Sequence, residues 1–191
     1  MTRDEILDAA AQIFRVKGFH AASMQEIAQA VNLQKASLYH HVSSKQEILL
    51  ALLDRAIDLL IEHIEKQLNR PMPADEKLRL AIRAYLQAIL ENRDLAAVLL
   101  LEHRSLEPRY HALHIPRRDR FEQLWRNLIQ EGIEQQILCP HDPAMASRVL
   151  LGSMNWIITW YKPEGSQSPE KISTQYADLF LYGLLARQGN Q

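Results

Sequence analysis

Apolar residues recur three and four positions apart along most of the chain, which is the period of an amphipathic α-helix. The pattern is clearest between positions 44 and 68, where Ser44 and Glu47 form a capping box and one helical face is apolar throughout. That face consists of Ile48, Leu49, Leu52, Leu53, Ala56, Ile57, Leu60 and Ile64. The sequence contains no run of alternating β-branched residues bounded by turn signals, the pattern of a half-buried strand. We therefore predict an all-α protein of about nine helices.

Start and stop signals divide the first 45 residues into three helices. Thr2 is a suitable cap for a first helix that ends at Gly18. Ser23 and the glutamate three residues after it form a capping box that opens a short second helix. Asn32 follows, and asparagine tolerates the left-handed backbone conformation that reverses the chain. A third helix is then expected from about Gln34 to His41.

Two short helices joined by a tight turn and preceded by a longer helix are the pattern of a helix-turn-helix unit, whose second helix enters the DNA major groove. The segment LQKASLYHHVSSK at positions 33–45 fits such a helix, because Leu38 faces inward while polar side chains surround it. Gln34 and Lys35 suit base edges or phosphates, and Tyr39, Lys45 and Ser23 suit phosphates. The candidate DNA-binding residues are Ser23, Gln34, Lys35, Ser37, Tyr39, His40, His41 and Lys45.

Spacing alone leaves two alternatives open for this segment. One is a solvated helical face with a buried tyrosine. The other is a helical adaptor that docks the same helix on another protein and does not bind DNA. The net charge of -1 and the pI near 6.7 exclude wholesale electrostatic binding to nucleic acid, so any DNA binding would depend on a local patch.

The composition is that of an ordinary globular protein, with 47% hydrophobic residues. No apolar run approaches the roughly 20 residues that span a bilayer, and the start MTRDEIL is charged rather than signal-like. We therefore expect a cytoplasmic protein with no membrane partner. Cys139 is the only cysteine, which excludes an internal disulfide.

Motifs that carry chemistry are scarce. The sequence has no GxSxG elbow, no phosphate-binding glycine loop and no credible carboxylate pair, so we expect no catalytic residues and no enzyme activity. Cys139, His141 and Asp142 share one proline-bounded loop without a second ligand cluster, so we expect no metal site and no cofactor. His111 and His114, three positions apart, are expected to line a surface or a pocket.

A family resemblance is carried by the run ILDAAAQIFRVKGFHAASMQEIAQAVNLQKASLYHHVSSKQEIL. This run closely resembles the N-terminal DNA-binding domain of the TetR family of transcriptional regulators over about residues 5–50. The matching positions are the Ala10 and Phe14 face, Gly18, the Ser23 cap, the Ile27 and Ala28 pair, the Leu38 and Tyr39 pair, and Lys45. The departures are Asn32 and Ala36 in place of glycine, Gln34 in place of serine and Val42 in place of phenylalanine, and they bear mainly on base preference.

The resemblance implies two domains. Residues 1–45 would be the helix-turn-helix DNA-binding domain, and residues 46–191 a helical ligand-binding and dimerisation domain. It also implies a homodimer that binds a double-stranded, palindromic DNA operator. Repression relieved by a small-molecule effector is the family's commonest mode and is the expectation here.

The last two helices are candidates for the dimer interface. They begin near 143 and 169, where Asp142 and Ser168 are each followed by a proline suited to the first helical position, and the second pattern extends to Leu184. The resemblance implies that they pair with their copies in a four-helix bundle, whereas the alternative is that the same residues form intramolecular core. The candidate interface residues are Val149, Gly152, Ser153, Trp156, Tyr176, Phe180 and Gly183.

An arginine-rich segment at 104–126 is the candidate effector region. It holds six arginines against three acids, beside apolar side chains, a combination that suits an amphipathic anion. The alternative is a solvated face with internal ion pairs, such as Arg118 or Arg126 with Glu122. The C-terminal half contains the stretches LLEHRSL, RRDRFEQLWRNLIQEG and GSMNWIITWYKPEGSQSPEKISTQYADLFLYGL. With these it resembles TetR regulators of fatty-acid or sterol breakdown, many of which respond to acyl-CoA thioesters. The candidate ligand-binding residues are His103, Arg104, Arg109, Arg117, Arg118, Phe121, Trp125 and Trp156.

Overall fold

The computed structural model describes residues 2–183, and in that range every regular element is a helix. The α-helices are α1 (Arg3–Lys17), α2 (Met24–Ala30), α3 (Lys35–Leu38), α4 (Lys45–Leu68), α5 (Ala74–Glu91), α6 (Arg93–Ala97), α7 (Pro108–Glu134), α8 (Pro143–Asn155), α9 (Ile157–Trp160) and α10 (Pro169–Tyr182). Only Trp156 separates α8 from α9, so over residues 2–183 these form nine helices if that pair is counted once. The predicted all-α class is confirmed. Leu184 lies outside the described residues.

The chain divides into two compact units. The first consists of the residues up to Ile61 together with Ile89–Phe121. The second consists of Glu62–Ala88 together with the residues from Glu122 onward. The predicted boundary at residue 45 divides a DNA-binding part from a ligand-binding part. It does not coincide with the bounds of the two compact units, and it stays a prediction. No helix within residues 2–183 is both long and apolar enough to cross a membrane.

The start and stop signals of the N-terminal helices act as predicted. The hydroxyl of Thr2 accepts a hydrogen bond from the N–H of Glu5 at 3.2 Å, and the Glu5 carboxylate accepts one from the N–H of Thr2 at 2.6 Å. α1 ends at Gly18, whose N–H donates to the Phe14 carbonyl at 2.8 Å. Asn32 has a φ of 54°, which confirms the left-handed reversal before α3.

The third helix is shorter than the sequence predicts. It ends at Leu38, whereas the prediction extended it to His41. The N–H of His40 donates to the Ser37 carbonyl at 3.2 Å, and the N–H of His41 donates to the Leu38 carbonyl at 3.0 Å. Hydrogen bonds that reach back three residues tighten the last turn of a helix. Both histidines therefore lie in the turn after α3.

The first unit has an apolar core shared by α1, α2, α3 and α4. Ile6 and Phe14 of α1, Ile27 of α2 and Leu38 of α3 are at most 1% exposed. The predicted apolar face of α4 is buried along its whole length, Ile64 included. Its members within the first unit are Ile48, Leu49, Leu52, Leu53, Ala56, Ile57 and Leu60. The side chains that fix the orientation of α3 are thus all apolar, which leaves its polar side chains outside the core.

The segment between α6 and α7, residues 98–107, is irregular and is named the 98–107 turn below. Val98–Glu102 forms a π-helical turn and His103–Ser105 a 3₁₀ turn, so the helical hydrogen-bond register changes within one short stretch. Leu106 is extended and buried, and Pro108 then opens α7 at the boundary that the sequence marks. Such irregular turns between helical stretches frequently occur at functional sites and hinges.

The second unit has its own core around Trp125, which is fully buried. Its ring meets the ring of Tyr85 edge to face, with centroids 5.8 Å apart, and the Tyr85 hydroxyl donates to the Asn155 amide oxygen. Burial raises the pKa of the Tyr85 hydroxyl. The predicted N-caps are confirmed, because the side chain of Asp142 caps α8 and that of Ser168 caps α10.

Candidate nucleic-acid interface and ligand site

α3 and the turn that follows it present polar side chains to solvent. Leu38 is fully buried beneath them, while Tyr39 is 47% exposed, so the alternative with a buried tyrosine is wrong. The other polar residues of this group are exposed Gln34, Lys35, His40 and His41 and half-buried Ser37. Within residues 2–183, none of these side chains forms a hydrogen bond or an ion pair with another part of the chain. They are available to a partner outside the chain.

Ser23 is exposed and forms the cap of α2. Its hydroxyl accepts a hydrogen bond from the N–H of Glu26 at 3.2 Å, and the Glu26 carboxylate accepts one from the N–H of Ser23 at 2.9 Å. A hydrogen bond from Lys17, followed by those from Ser23, lowers the pKa of Glu26 to about 2. The predicted capping box is confirmed, and a phosphate contact by Ser23 stays a prediction.

Lys45 is engaged with the backbone of the chain. Its ammonium group donates to the carbonyls of Phe19, His20 and Ala22 at 2.7, 3.3 and 2.6 Å, and it lies 4.5 Å from the centre of the Phe19 ring. Burial lowers the pKa of Lys45. Because an ammonium group has three protons, these bonds occupy all of them. Lys45 therefore fixes the loop between α1 and α2 to the start of α4, a role that no sequence pattern indicated.

The cap of α4 differs in part from the predicted Ser44 and Glu47 capping box. The Ser44 hydroxyl accepts from the N–H of Glu47 at 3.1 Å, as predicted. The Glu47 carboxylate instead accepts from the N–H and the hydroxyl of Ser43, at 2.7 and 2.6 Å. Ser43 offers this carboxylate two donors, and those two bonds lower the pKa of Glu47.

Most of the predicted ligand-binding arginines are paired inside the chain. Arg117 lies 3.0 Å from the carboxylate of Asp54 and 3.4 Å from that of Asp58. Arg109 lies 3.5 Å from the Glu107 carboxylate and stacks on Tyr110.

The internal ion pairs of the alternative are therefore observed in part, and ligand binding by these arginines stays a prediction. Arg126 pairs with Glu122 at 2.5 Å, as that alternative states, whereas Arg118 pairs with its neighbour Asp119 at 3.5 Å. Arg104 is different, because its exposed guanidinium has no ion-pair or hydrogen-bond partner among residues 2–183.

The other predicted ligand-binding residues differ in environment. His103 is half-buried, and burial, followed by the charge of Arg104, lowers the pKa of its imidazole. Phe121 is 7% exposed in the first unit. Trp125 and Trp156 belong to the second unit, where Trp125 is fully buried and Trp156 is 66% exposed. The eight residues are therefore not gathered within a single unit.

A groove in the first unit lies beside the 98–107 turn and was not predicted. Its volume is about 560 Å³, and it is lined by Phe19, His20, Ser44, Lys45, Gln46, Arg104, Ser105, Leu106 and Glu107. Gln46 donates from its side-chain amide to the Ser105 carbonyl at 2.9 Å and accepts from the N–H of Glu107 at 3.1 Å. Sequence reasoning missed Gln46 because its partners are backbone groups, which leave no residue signature.

His114 is buried rather than placed on a surface or in a pocket. It is 3% exposed, and its Nδ1 is hydrogen-bonded to Asp54 at 2.8 Å. Arg117 binds the second oxygen of the same carboxylate. Asp54 of α4 thus joins two side chains of α7 inside the first unit. No sequence pattern indicated this contact, because residues 54 and 114 are far apart along the chain.

The predicted interface helices carry apolar side chains that the chain does not cover. Val149 and Trp156 are 59% and 66% exposed. Among residues 2–183, a Cβ built on Gly152 would meet nothing within 4 Å, so close approach within that range does not explain this glycine. The hydroxyl of half-buried Tyr176 donates to the Ser153 carbonyl at 3.2 Å. Phe180 is half-buried, and Gly183 has a φ of 70° at the end of α10.

The N-terminal geometry defines a class of protein. A short helix held by a buried leucine, with unengaged polar side chains and a second short helix before it, is the arrangement of a helix-turn-helix DNA-binding protein. The profile described as "Bacterial regulatory proteins, tetR family" matches residues 6–52, and that described as "Tetracyclin repressor-like, C-terminal domain" matches residues 71–184. The chain belongs to the TetR family of transcriptional regulators.

Similar proteins agree with this assignment. The TetR family transcriptional regulator PfmR of Thermus thermophilus is 37% identical, with a TM-score of 0.88 over 95% of this chain and 99% of PfmR. AibR, solved in complex with isovaleryl coenzyme A and operator DNA, is 27% identical, with a TM-score of 0.88 over 94% of this chain and 97% of AibR. The transcriptional repressor KstR2 of Mycolicibacterium smegmatis is 26% identical over 99% of this chain and 93% of its own length. PfmR and KstR2 are named as regulators, not enzymes.

Proposed function

We propose that this regulator is a homodimeric repressor that binds a palindromic DNA operator and leaves it when an acyl-CoA thioester binds. The observation that carries the proposal is the group of exposed, unengaged polar side chains of α3 above buried Leu38. A surface of that kind supplies donors and acceptors to base edges without first breaking internal bonds.

Different residues of this surface would have different roles on DNA. Gln34 and Lys35 lie at the start of α3, and the start of a recognition helix contacts base edges. Gln34 suits adenine and Lys35 suits guanine or a phosphate. Tyr39 and the two histidines in the turn suit phosphates, which set the position of the helix. Lys45 would act through the loop that it holds.

Dimerisation is supported by the exposed apolar side chains of Val149 in α8, of Trp156 directly after it and of Leu179 in α10. Large exposed apolar patches on a globular protein mark interaction sites. A dimer is also what operator binding needs, because two recognition helices must lie about 34–36 Å apart to reach successive major grooves. Sedimentation at micromolar concentration should give a dimer, and Trp156→Glu should shift it toward the monomer. A wild-type monomer would contradict the proposal.

The acyl-CoA class is supported by one relative and one feature of this chain. AibR was solved with both isovaleryl coenzyme A and operator DNA. In this chain, Arg104 has an exposed guanidinium without an internal partner within residues 2–183, which suits a phosphate group. The effector must bind the DNA-incompetent form more tightly, since only differential affinity shifts the equilibrium between two forms.

The test is fluorescence anisotropy on DNA from the region upstream of this protein's own gene. Binding is measured at several salt concentrations, with and without a panel of CoA thioesters. Tight binding that weakens steeply with salt and is released by one thioester is the expected result. Tight binding that no thioester releases would keep the regulator and remove the effector class.

The competing function is a helical adaptor that docks α3 on another protein. The salt titration separates the two, because phosphate contacts make DNA affinity fall steeply with salt, whereas an adaptor would show no DNA binding of this kind. The membership of the TetR family favours DNA.

A further inference from the structure

We propose that Gln46 is a positioning residue that couples operator binding to the conformation of the 98–107 turn, an inference that rests on the proposed operator binding. Gln46 lies in the first turn of α4 within the first unit. Its side chain contacts the backbone of the 98–107 turn, and its neighbour Lys45 contacts the loop that leads to α2. The two adjacent side chains thus link the turn to the DNA-binding helices.

The bonds of Gln46 respond to the path of the backbone. Its amide N–H donates to the Ser105 carbonyl at 2.9 Å, and its amide oxygen accepts from the N–H of Glu107 at 3.1 Å. Both bonds can exist only while the chain keeps its present course between these two residues, because hydrogen bonds weaken steeply with misalignment. Gln46 therefore distinguishes this conformation of the turn from any other.

Two further links hold the same region. The Ser105 hydroxyl lies 3.2 Å from Nε2 of His20, and the Ser44 hydroxyl lies 3.3 Å from the Tyr110 hydroxyl. His20 belongs to the loop between α1 and α2, and Ser44 caps α4. The turn and the start of α7, where Tyr110 lies, are consequently attached to the DNA-binding part of the first unit on both sides of Gln46.

The loop between α1 and α2 carries the link onward. Lys45 donates to the carbonyls of Phe19, His20 and Ala22, and the next residue along the chain, Ser23, caps α2. A shift at the start of α4 would therefore displace the cap of α2 and the short helices that follow. No other part of the link needs to deform.

The 98–107 turn has the features of an element with two arrangements. Its π-helical and 3₁₀ turns are adjacent, and such irregular helical turns often mark functional hinges. The groove of about 560 Å³ beside it leaves room for such a change. Coupling between two sites is reciprocal, so DNA binding must stabilise one arrangement of the turn if the turn affects DNA affinity.

The experiment measures amide hydrogen exchange at residues 105–107 in the full chain, with and without saturating DNA. The DNA is a duplex that the wild-type protein selects from a random-sequence pool. We expect the duplex to slow exchange at Glu107 by about fivefold or more in the wild type, a ratio at the low end of typical coupling. In Gln46→Met, the ratio of the exchange rate at Glu107 without DNA to that with DNA should fall close to one. A purely structural role would speed exchange equally in both states and leave the ratio unchanged.

Three variants complete the test. Gln46→Glu keeps an oxygen for the N–H of Glu107 but loses the bond to Ser105, so its ratio should be intermediate. Tyr110→Phe removes the hydroxyl that bonds to Ser44 and to exposed Arg109, and it carries the test if Gln46→Met fails to fold. Gln67→Met is the matched control, because the Gln67 side chain on the same helix forms no bond among residues 2–183.

The outcomes separate this inference from the proposed function. Bound DNA that does not slow exchange at Glu107 in the wild type overturns the coupling and leaves the regulator intact. An equal ratio in Gln46→Met and the wild type also overturns it. If the wild type selects no duplex, proposed operator binding fails and the coupling fails with it.

Discussion

Two polar segments of the first unit, residues 34–41 and residues 104–121, have opposite environments. In the first, the polar side chains have no partners among the described residues. In the second, Arg109, Arg117 and Arg118 each meet a carboxylate of the chain. A charged or polar side chain whose partner is internal contributes to the fold, whereas one without such a partner is free to bind something else. Residue type alone does not distinguish these cases.

The largest expected effect is on DNA affinity. In the double variant Gln34→Ala and Lys35→Ala, operator affinity should fall about 100-fold, because each good base contact contributes roughly 1 to 3 kcal/mol of discrimination. The thermal midpoint should stay unchanged, since neither side chain has an internal partner among residues 2–183. Anisotropy and thermal unfolding measure the two quantities.

A matched double variant serves as the control for this prediction. Lys66→Ala and Gln67→Ala remove the same two residue types from the exposed or half-buried surface at the end of α4. DNA affinity should be unaffected there. An equal loss of affinity in both double variants would mean that α3 has no special role, and the contrast between the two polar segments would disappear.

The helices of residues 1–45 were predicted well from the sequence because helix caps and chain reversals depend on neighbouring residues. The Ser23 cap and the reversal at Asn32 follow from residue type and short spacing, and both are observed. The contacts of Gln46 and Asp54 join residues about 60 positions apart, and part of what they bind is backbone. No periodicity records such contacts. The ion pair of Arg117 with Asp54 was missed for the same reason, and the ligand-binding role of the arginine-rich segment stays a prediction.

The next largest effect concerns stability. Arg117→Ala should lower the free energy of unfolding by about 1 kcal/mol, because it removes one of the two partners of the largely buried Asp54 carboxylate and leaves only His114. Arg118→Ala is the control, since Arg118 meets only its exposed neighbour and should change stability by no more than about 0.5 kcal/mol. Urea unfolding measures both. If Arg118→Ala proves the more destabilising, the ion pairs of Arg117 are not what holds this segment.

A smaller effect should appear with pH. The hydrogen bonds from Lys17 and Ser23 hold the pKa of Glu26 at about 2, against an ordinary value of 4.5. Because the folded-state pKa is lowered, this contribution to stability is complete above about pH 4.5 and is lost as the pH falls through 2. The thermal midpoint of Glu26→Gln should therefore approach that of the wild type over this window. A constant difference between pH 5 and pH 2 would show that Glu26 is not ionised in the cap.

The smallest expected effect on stability is at Arg104. Its guanidinium is exposed and without an internal partner among residues 2–183, so Arg104→Ala should change the free energy of unfolding by less than about 0.5 kcal/mol. The same holds for Arg109→Ala, because its contacts with Glu107 and Tyr110 are exposed. The two variants should differ in their response to the effector. Arg104→Ala should weaken thioester-induced DNA release, whereas Arg109→Ala should not. If both variants release DNA as the wild type does, the lack of an internal partner does not by itself mark a ligand-binding residue, and the contrast between the two polar segments would hold only for DNA.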